Sequence, residues 1–418
     1  MNLDQLYTLY CQHYLVDTDT RKIRNNTLYF ALKGESFNGN TFAEEALKKG
    51  ARFSIVDEKE RVTSSRIILV DDVLSTLQKL ASHHRKILNI PIIGLTGSNG
   101  KTTTKELINT VLSTQYNTTA TAGNLNNHIG VPLTLLSMTP TTEIGIVEMG
   151  ANHPKEIAFL CTIATPDFGY ITNFGKAHLE GFGSLEGVVA AKSELYTYLK
   201  ECKKIVFVNP DDEIQVRKTT EIKTILFDSS IALLEANPYI KVAFDNKVVT
   251  TNLIGAYNYS NISAAITIGT FFKIAPKNIK NSLERYSPTN NRSQIITTKN
   301  SNTLILDAYN ANPTSVKAAL DSFSLLHTKN KVVILGDMFE LGLESEKEHQ
   351  FIADYCTELK FKNVLLVGKL FNKTTSKYLK FEVFDDLKKY VIATKITKHQ
   401  LLIKGSRGMA LERITESL

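Results

Sequence analysis

Residues 94–103 read Gly-Leu-Thr-Gly-Ser-Asn-Gly-Lys-Thr-Thr, a pattern suited to holding phosphate. Glycines let backbone N–H groups approach phosphate oxygens, and a helix N-terminus adds positive potential. Lys101 can reach the β and γ oxygens, and Thr102 can offer its hydroxyl to Mg²⁺. The strict G-x-x-x-x-G-K-[ST] spacing would place a glycine where this chain has Leu95; the glycine instead falls one residue earlier, at Gly94. A glycine-rich strand-to-helix turn without a ligand is the alternative reading. Gly97, Ser98, Asn99, Gly100, Lys101, Thr102 and Thr103 form the candidate phosphate-binding set.

Switch proteins, transporters, kinases and ligases all use such loops, so other residues must say what receives the phosphoryl group. Glu148 ends the apolar run Ile-Gly-Ile-Val-Glu. Ligands gather at the C-terminal ends of strands in open α/β sheets, so a hard carboxylate there can hold Mg²⁺ together with Thr102. A solvated strand-end acid is the alternative. The next apolar run leads into Thr172-Asn173-Phe174-Gly175-Lys176-Ala177-His178, a second polar loop at the same edge. Taken alone, His178 reads as a structural histidine. Lys192, within Ala-Ala-Lys-Ser-Glu, reads as a surface lysine with its stem laid along the protein.

These groups need strands and helices to position them. Strands are expected over 27–33, 53–56 and 67–70, with helices over 43–50 and 72–88; Asn89-Ile90-Pro91 then forms a linker, because proline pushes its predecessor out of the helical region. A second block alternates strands at 92–95, 144–149, 168–172 and 205–209 with helices at 101–113, 153–162 and 185–199. That alternation predicts a mostly parallel, doubly wound sheet. A hairpin around Asp245-Asn246 is expected to add an antiparallel element at the sheet's edge. The turn-rich segment 287–291 opens a third block of alternating strands and helices, ending in a helix from Arg407. The predicted organisation is α/β throughout: a small N-terminal α/β domain (1–85), a central phosphate-loop domain (86–289) and a C-terminal Rossmann-like domain (290–418).

The chain's 418 residues, with 43% hydrophobic content and 22% charged residues, suit packed cores and exclude a small stapled scaffold. A net charge of +7 is too small to indicate a nucleic-acid partner and equally suits anionic small substrates. Cys11, Cys161, Cys202 and Cys356 lie far apart, without zinc or disulfide spacing, and read as buried reduced thiols. No signal-peptide pattern and no membrane-length apolar window is present, so a cytoplasmic protein is expected.

Taken in order, the runs TDTR (18–21), LYFALKGESFNGNTFAEEALKKGA (28–51), TGSNGKTTTKE (96–106), AGNLNNHIGVPLTLL (122–136) and EMGANHPKEI (148–157) resemble the Mur ligase family. The resemblance continues through ITNFGKAHLEGFGSLEGV (171–188), AAKSE (190–194), NPDD (209–212), GAYNYSN (255–261), DAYNANPTSVKAAL (307–320), GDMFELG (336–342) and IKGSRGMALE (403–412). The Gly94 offset is normal in that family. The resemblance implies three domains: one holding a uridine nucleotide, a central ATPase, and a C-terminal domain that closes over ATP. Its wording points to an ATP-dependent ligase that joins D-alanyl-D-alanine to UDP-N-acetylmuramoyl-tripeptide in peptidoglycan precursor synthesis, as a monomer.

By the same resemblance, residues 97–103 cradle the ATP phosphates, Thr102 and Glu148 hold a first Mg²⁺, and His178 and a carbamylated Lys192 hold a second. Lys101, His178 and Lys192 are then the catalytic set. Asn258 matches an adenine contact, with Tyr257 where the family has histidine. Arg292 matches a phosphate-reaching arginine, and Asp307, Asn310 and Asn312 match the motif that closes on the nucleotide. Lys33, Gly34, Asn38 and Asn40 correspond to the nucleotide-sugar loop, where the family shows Asp-Gly-His in place of Asn38-Gly39-Asn40. Asn124, Asn126, Asn127 and His128 match the strip facing the muramoyl peptide. For the N-terminal asparagines, simple turn residues are the alternative, since Asn-Gly is itself a turn signal.

Overall fold

In the computed structural model, which describes every residue except Lys329, the strands form four sheets among the described residues. The first holds β1 (Val16–Asp17), β2 (Leu28–Phe30), β3 (Phe53–Val56) and β4 (Ile67–Leu69), all parallel and in sequence order. The helix Val73–Leu88 follows. Asp72 caps it by accepting from the Ser75 N–H at 2.6 Å, and Asn89 ends it in the left-handed conformation. Cap, left-handed stop and Pro91 together turn the chain into the next sheet.

The central sheet contains β5 (Ile92–Thr96), β6 (Thr118–Ala120), β7 (Ile144–Glu148), β8 (Phe168–Ile171), β9 (Ile205–Val208) and β10 (Lys223–Leu226). They run parallel in the order β10-β9-β8-β5-β7-β6. Strand pleating sends Ile92, Val147 and Ile171 into one core and Ile93, Leu95 and Ile146 into another, so both faces are covered. The connection from β5 to β6 runs to one side of β5, and the connection from β7 to β8 crosses to the other. The loop after β5 therefore sits at the topological switch point, where open α/β sheets bind ligands.

The hairpin forms as expected, but not at the edge of that sheet. With β11 (Ala232–Ala236), the strands β12 (Tyr239–Phe244) and β13 (Lys247–Ile254) make a separate antiparallel sheet. Its inward residues Ile240, Val242 and Val249 bury with Ile262, Ile266 and Ile279 of two central-domain helices. Apolar contact with helices, not strand pairing, fixes its place.

The last sheet combines β14 (Gln294–Thr297), β15 (Thr303–Asp307), β16 (Lys331–Gly336), β17 (Asn363–Val367), β18 (Leu379–Phe381) and β19 (Gln400–Lys404) in the order β14-β15-β19-β16-β17-β18. Only β14 runs antiparallel. The expected final helix is instead two 3₁₀ segments, Arg407–Met409 and Leu411–Ser417, with Ala410 left-handed between them. The expected single helix over 185–199 is two, Leu185–Lys192 and Glu194–Glu201, joined at Ser193. Of the cysteines expected to be buried, Cys161 and Cys356 are; Cys11 is half-buried and Cys202 is exposed.

Candidate active site

The phosphate loop is shaped by two glycines. Gly97 has φ +144°, and a Cβ there would lie 2.0 Å from Thr172 Oγ1. Gly100 has φ +80°, and its Cβ would meet Asn261 Oδ1 at 2.8 Å. Only glycine fits both the conformation and the space. The polar loop after β8 stitches itself to the phosphate loop. Thr172 Oγ1 and Asn173 Nδ2 donate to the Asn99 carbonyl (2.5 and 3.0 Å), and Asn173 Oδ1 accepts from the Asn99 N–H at 3.0 Å. Ser98 Oγ donates to the Gly175 carbonyl at 2.9 Å. Lys101 donates from Nζ to the Gly97 carbonyl at 2.7 Å, and burial lowers its pKa. Thr103 is buried in the first turn of the helix Lys101–Leu112.

Glu148 is not a solvated acid: it is 1% exposed. Its carboxylate accepts from Thr102 Oγ1 at 3.0 Å and from Asn126 Nδ2 at 2.8 Å. A buried, charged oxygen pair beside a hydroxyl is a donor set that suits Mg²⁺. Lys192 is not a surface lysine either, being 1% exposed. Its Nζ donates to the Ala151 carbonyl at 2.9 Å and lies 5.0 Å from the centre of the Phe182 ring. Burial, and then the charge of Lys101, bring its pKa down to about 7. As an amine it offers no oxygen ligand, but an amine neutral at that pH can react with CO₂. His178, left-handed at φ +53°, pairs through Nδ1 with Glu340 Oε2 at 2.5 Å. Among the described residues no three His, Cys, Asp or Glu side chains gather as a ready-made metal cluster.

The central domain faces the C-terminal domain across a cavity of about 650 Å³. The phosphate loop, Asn124, Asn126, Asn127, His128, Glu148 and His178 line one side. Arg292, Asp307, Tyr309, Asn310, Lys404 and Arg407 line the other. The Arg292 guanidinium sits 3.7 Å over the Tyr309 ring, and its buried Nε has no partner among the described residues. Asp307 pairs with Lys404 at 2.5 Å, and Lys404 also donates to the Asn310 carbonyl at 3.2 Å. Asn312 caps the helix Pro313–Ser324 and donates from Nδ2 to Asn99 Oδ1 at 2.7 Å, joining the two domains directly. A second cross-domain tie links Lys176 to the buried Glu348 at 2.6 Å.

Asn258, also at the cavity, donates from Nδ2 to the Ile254 carbonyl and accepts at Oδ1 from Asn261, both at 2.8 Å. Tyr257 hydrogen-bonds Ser293 Oγ at 2.8 Å, and burial raises its phenol above the usual range. Asn127 accepts from the Ile129 and Gly130 N–H groups (3.1 and 2.9 Å) at the start of the helix Gly130–Leu135.

Lys33, Asn38 and Asn40 stand apart from this cavity. Lys33 pairs with Asp57 (2.8 Å) and Glu58 (3.2 Å), Asn38 donates to Glu58 at 2.9 Å, and Asn40 donates to Asp57 at 2.9 Å. Gly39 leaves no room for a Cβ, which would fall 2.3 Å from the Leu32 carbonyl oxygen. The hydrogen bonds of these residues thus hold the loop's own shape. Cavity residues outside the candidate set read from the sequence include Asn261, Glu340, Lys404 and Arg407. Each lies in a run quoted above, but only the tertiary fold brings it to the cavity.

Three descriptions cover the chain: "Mur ligase family, catalytic domain" over residues 13–92, "Mur ligase middle domain" over 95–269, and "Mur ligase, glutamate ligase domain" over 291–407. The UDP-N-acetylmuramoyl-tripeptide–D-alanyl-D-alanine ligase of Bacillus subtilis (strain 168) is 36% identical over 422 residues, covering 96% of this chain and 92% of that protein. Its namesake in Escherichia coli (strain K12) is 33% identical, covering 96% and 93%. A crystal structure of MurF from Acinetobacter baumannii superposes with a TM-score of 0.86 at 28% identity, covering 96% and 92%. MurF from Thermotoga maritima, in complex with ADP, gives 0.83 at 27% identity, covering 96% of each chain.

Proposed function

The chain belongs to the Mur ligase family, and from that premise we propose that it is the ATP-dependent ligase that adds D-alanyl-D-alanine to UDP-N-acetylmuramoyl-tripeptide through an acyl phosphate. The observation that carries this reading is the cavity itself. A phosphate loop and an asparagine strip face a wall of cations and an aspartate from another domain, so a nucleotide and two further substrates can meet with water displaced.

A carboxylate is a poor acyl donor. Its oxygen therefore attacks the γ-phosphorus of ATP, releasing ADP. The dipeptide amine then attacks the acyl carbon, the C–O bond breaks, and phosphate leaves. Residues 97–103 hold the phosphates, and Lys101 exchanges the Gly97 carbonyl for a phosphate oxygen. Thr102 and Glu148 would hold Mg²⁺, and His178 with a carbamylated Lys192 would hold a second; bound there, the metal supplies charge neutralisation for the crowded oxygens. CO₂ addition to the neutral Lys192 amine would make it an oxygen donor, and the pKa near 7 supports this step. Asn124, Asn126, Asn127 and His128 face the tripeptide end, with Lys33, Gly34, Asn38 and Asn40 toward the uridine nucleotide. Arg292, Asp307, Asn310 and Asn312 close on the nucleotide beside Asn258. Positioning and electrostatics do the work, and no side-chain nucleophile is needed.

The domain limits proposed are 1–85, 86–289 and 290–418; the left-handed stop at Asn89 lies a few residues beyond the first, which falls within the helix Val73–Leu88, and bends at 290–293 lie at the second. A cytoplasmic monomer fits nucleotide substrates; among the described residues, no helix is long and apolar enough to cross a membrane. The test mixes protein, ATP, Mg²⁺, UDP-N-acetylmuramoyl-tripeptide and D-alanyl-D-alanine. Phosphate release that depends on the dipeptide, with a pentapeptide product by mass, is expected. Release that ignores the dipeptide, with no such product, refutes the reading.

A further inference from the structure

Among the described residues, the C-terminal wall of the cavity carries three cations, Arg292, Lys404 and Arg407. Arg292 holds its guanidinium 3.7 Å over the Tyr309 ring, and the reading above assigns it to the nucleotide. Lys404, only 2% exposed, is pinned between Asp307 and the Asn310 carbonyl. Arg407 is the third. Its side chain is 60% exposed, its Cζ lies 5.8 Å from the centre of the same Tyr309 ring, and only Nη1 is engaged, donating to Glu412 Oε1 at 2.9 Å. Among the described residues, Nε and Nη2 have no hydrogen-bond partner.

The incoming dipeptide is a zwitterion. Its amine must reach the acyl carbon near the phosphate loop, which leaves its carboxylate roughly two residues' length, about 7 Å, farther out. That carboxylate needs a cation away from the phosphate-binding Lys101. Arg292 also keeps an unpartnered Nε among the described residues, but the ligase reading already gives it to the nucleotide; that leaves Arg407, with Glu412 holding one end of its guanidinium and the Tyr309 ring centre 5.8 Å from its Cζ. A planar fork suits a planar carboxylate. Resting on the ligase reading above, we propose that Arg407 binds the terminal carboxylate of the incoming dipeptide and so selects a free acid at that end.

The test crosses enzyme and substrate variants in the full-length protein. D-alanyl-D-alanine and its C-terminal amide are each assayed with wild type, R407M and R407K. The inference expects wild type to favour the acid, and R407M to raise KM for the acid on the order of 10- to 100-fold, the loss of one charged hydrogen-bond pair. KM for ATP stays within about twofold, because Arg407 does not serve the nucleotide. R407M should use acid and amide alike, and R407K should fall between. A merely structural arginine would not change that preference. Product formation by R407M with the wild-type preference for acid overturns the inference alone. No pentapeptide product from wild type overturns the ligase reading, and this inference with it.

Discussion

Replacing Lys404 by methionine keeps the side chain's volume and removes its charge. Lys404 is 2% exposed, and the Asp307 side chain it neutralises at 2.5 Å is 16% exposed. Without the ammonium, the carboxylate keeps one weak contact, the Ser293 N–H at 3.3 Å, and the Asn310 carbonyl also loses its donor. Removing one partner of a buried pair costs about 3–5 kcal/mol. Asp307 opens onto the cavity and can gain water, so about 2–3 kcal/mol is expected for K404M. Pairing K404M with D307N removes the stranded charge and should recover at least half of that loss. The result should be a non-additive cycle with a coupling of about 1–2 kcal/mol. The chain contains no tryptophan, so unfolding in guanidinium is best followed by far-UV circular dichroism. Hydrogen exchange across β15 and β19 then assigns the loss to the C-terminal domain. A cost below about 0.5 kcal/mol, or strict additivity in the cycle, would refute the reasoning that this pair holds the cavity wall.

Gly97→Ala forces a Cβ to within 2.0 Å of Thr172 Oγ1 at φ +144°; a stability loss of about 1–3 kcal/mol, seen in thermal unfolding, should accompany weakened ATP binding by calorimetry. Lys192→Ala should abolish turnover, with bicarbonate unable to restore it. In the wild type, bicarbonate-stimulated activity should fall as pH drops through about 7, because protonation removes the amine that CO₂ attacks; a flat profile counts against carbamylation. Asn312→Ala removes a helix cap, costing about 1 kcal/mol, and cuts the bond to Asn99. It should raise KM for ATP while Asn312→Asp, which keeps the cap, raises it as well; an unchanged KM in both would remove Asn312 from the nucleotide side.

The phosphate loop was legible because its chemistry is local: glycines, a lysine and flanking apolar runs lie within twenty residues. Strands with continuous apolar faces, such as β5 and β7, were legible for the same reason. The strands β6, with sequence Thr-Thr-Ala, and β10 were not, because edge strands owe their existence to a partner far away in the chain. Lys192 shows the limit most plainly. Nothing among its small neighbours announces burial; folding encloses the amine and brings the charge of Lys101 near it, and these two effects bring its pKa down to about 7. Lys404 likewise reads as the end of an apolar strand until Asp307 meets it through the β15–β19 pairing. For Asn38 and Asn40, the structure gives partners in Asp57 and Glu58 but no link to the cavity.

The central claim is that the tripeptide carboxylate is activated by phosphoryl transfer in this cavity. It is tested most directly by labelling that terminal carboxylate with ¹⁸O and analysing the phosphate released during turnover by mass spectrometry. The account predicts one ¹⁸O atom in each phosphate, because the carboxylate oxygen that attacks phosphorus leaves with it when the amine displaces the acyl group. Unlabelled phosphate, formed alongside pentapeptide product, would contradict it.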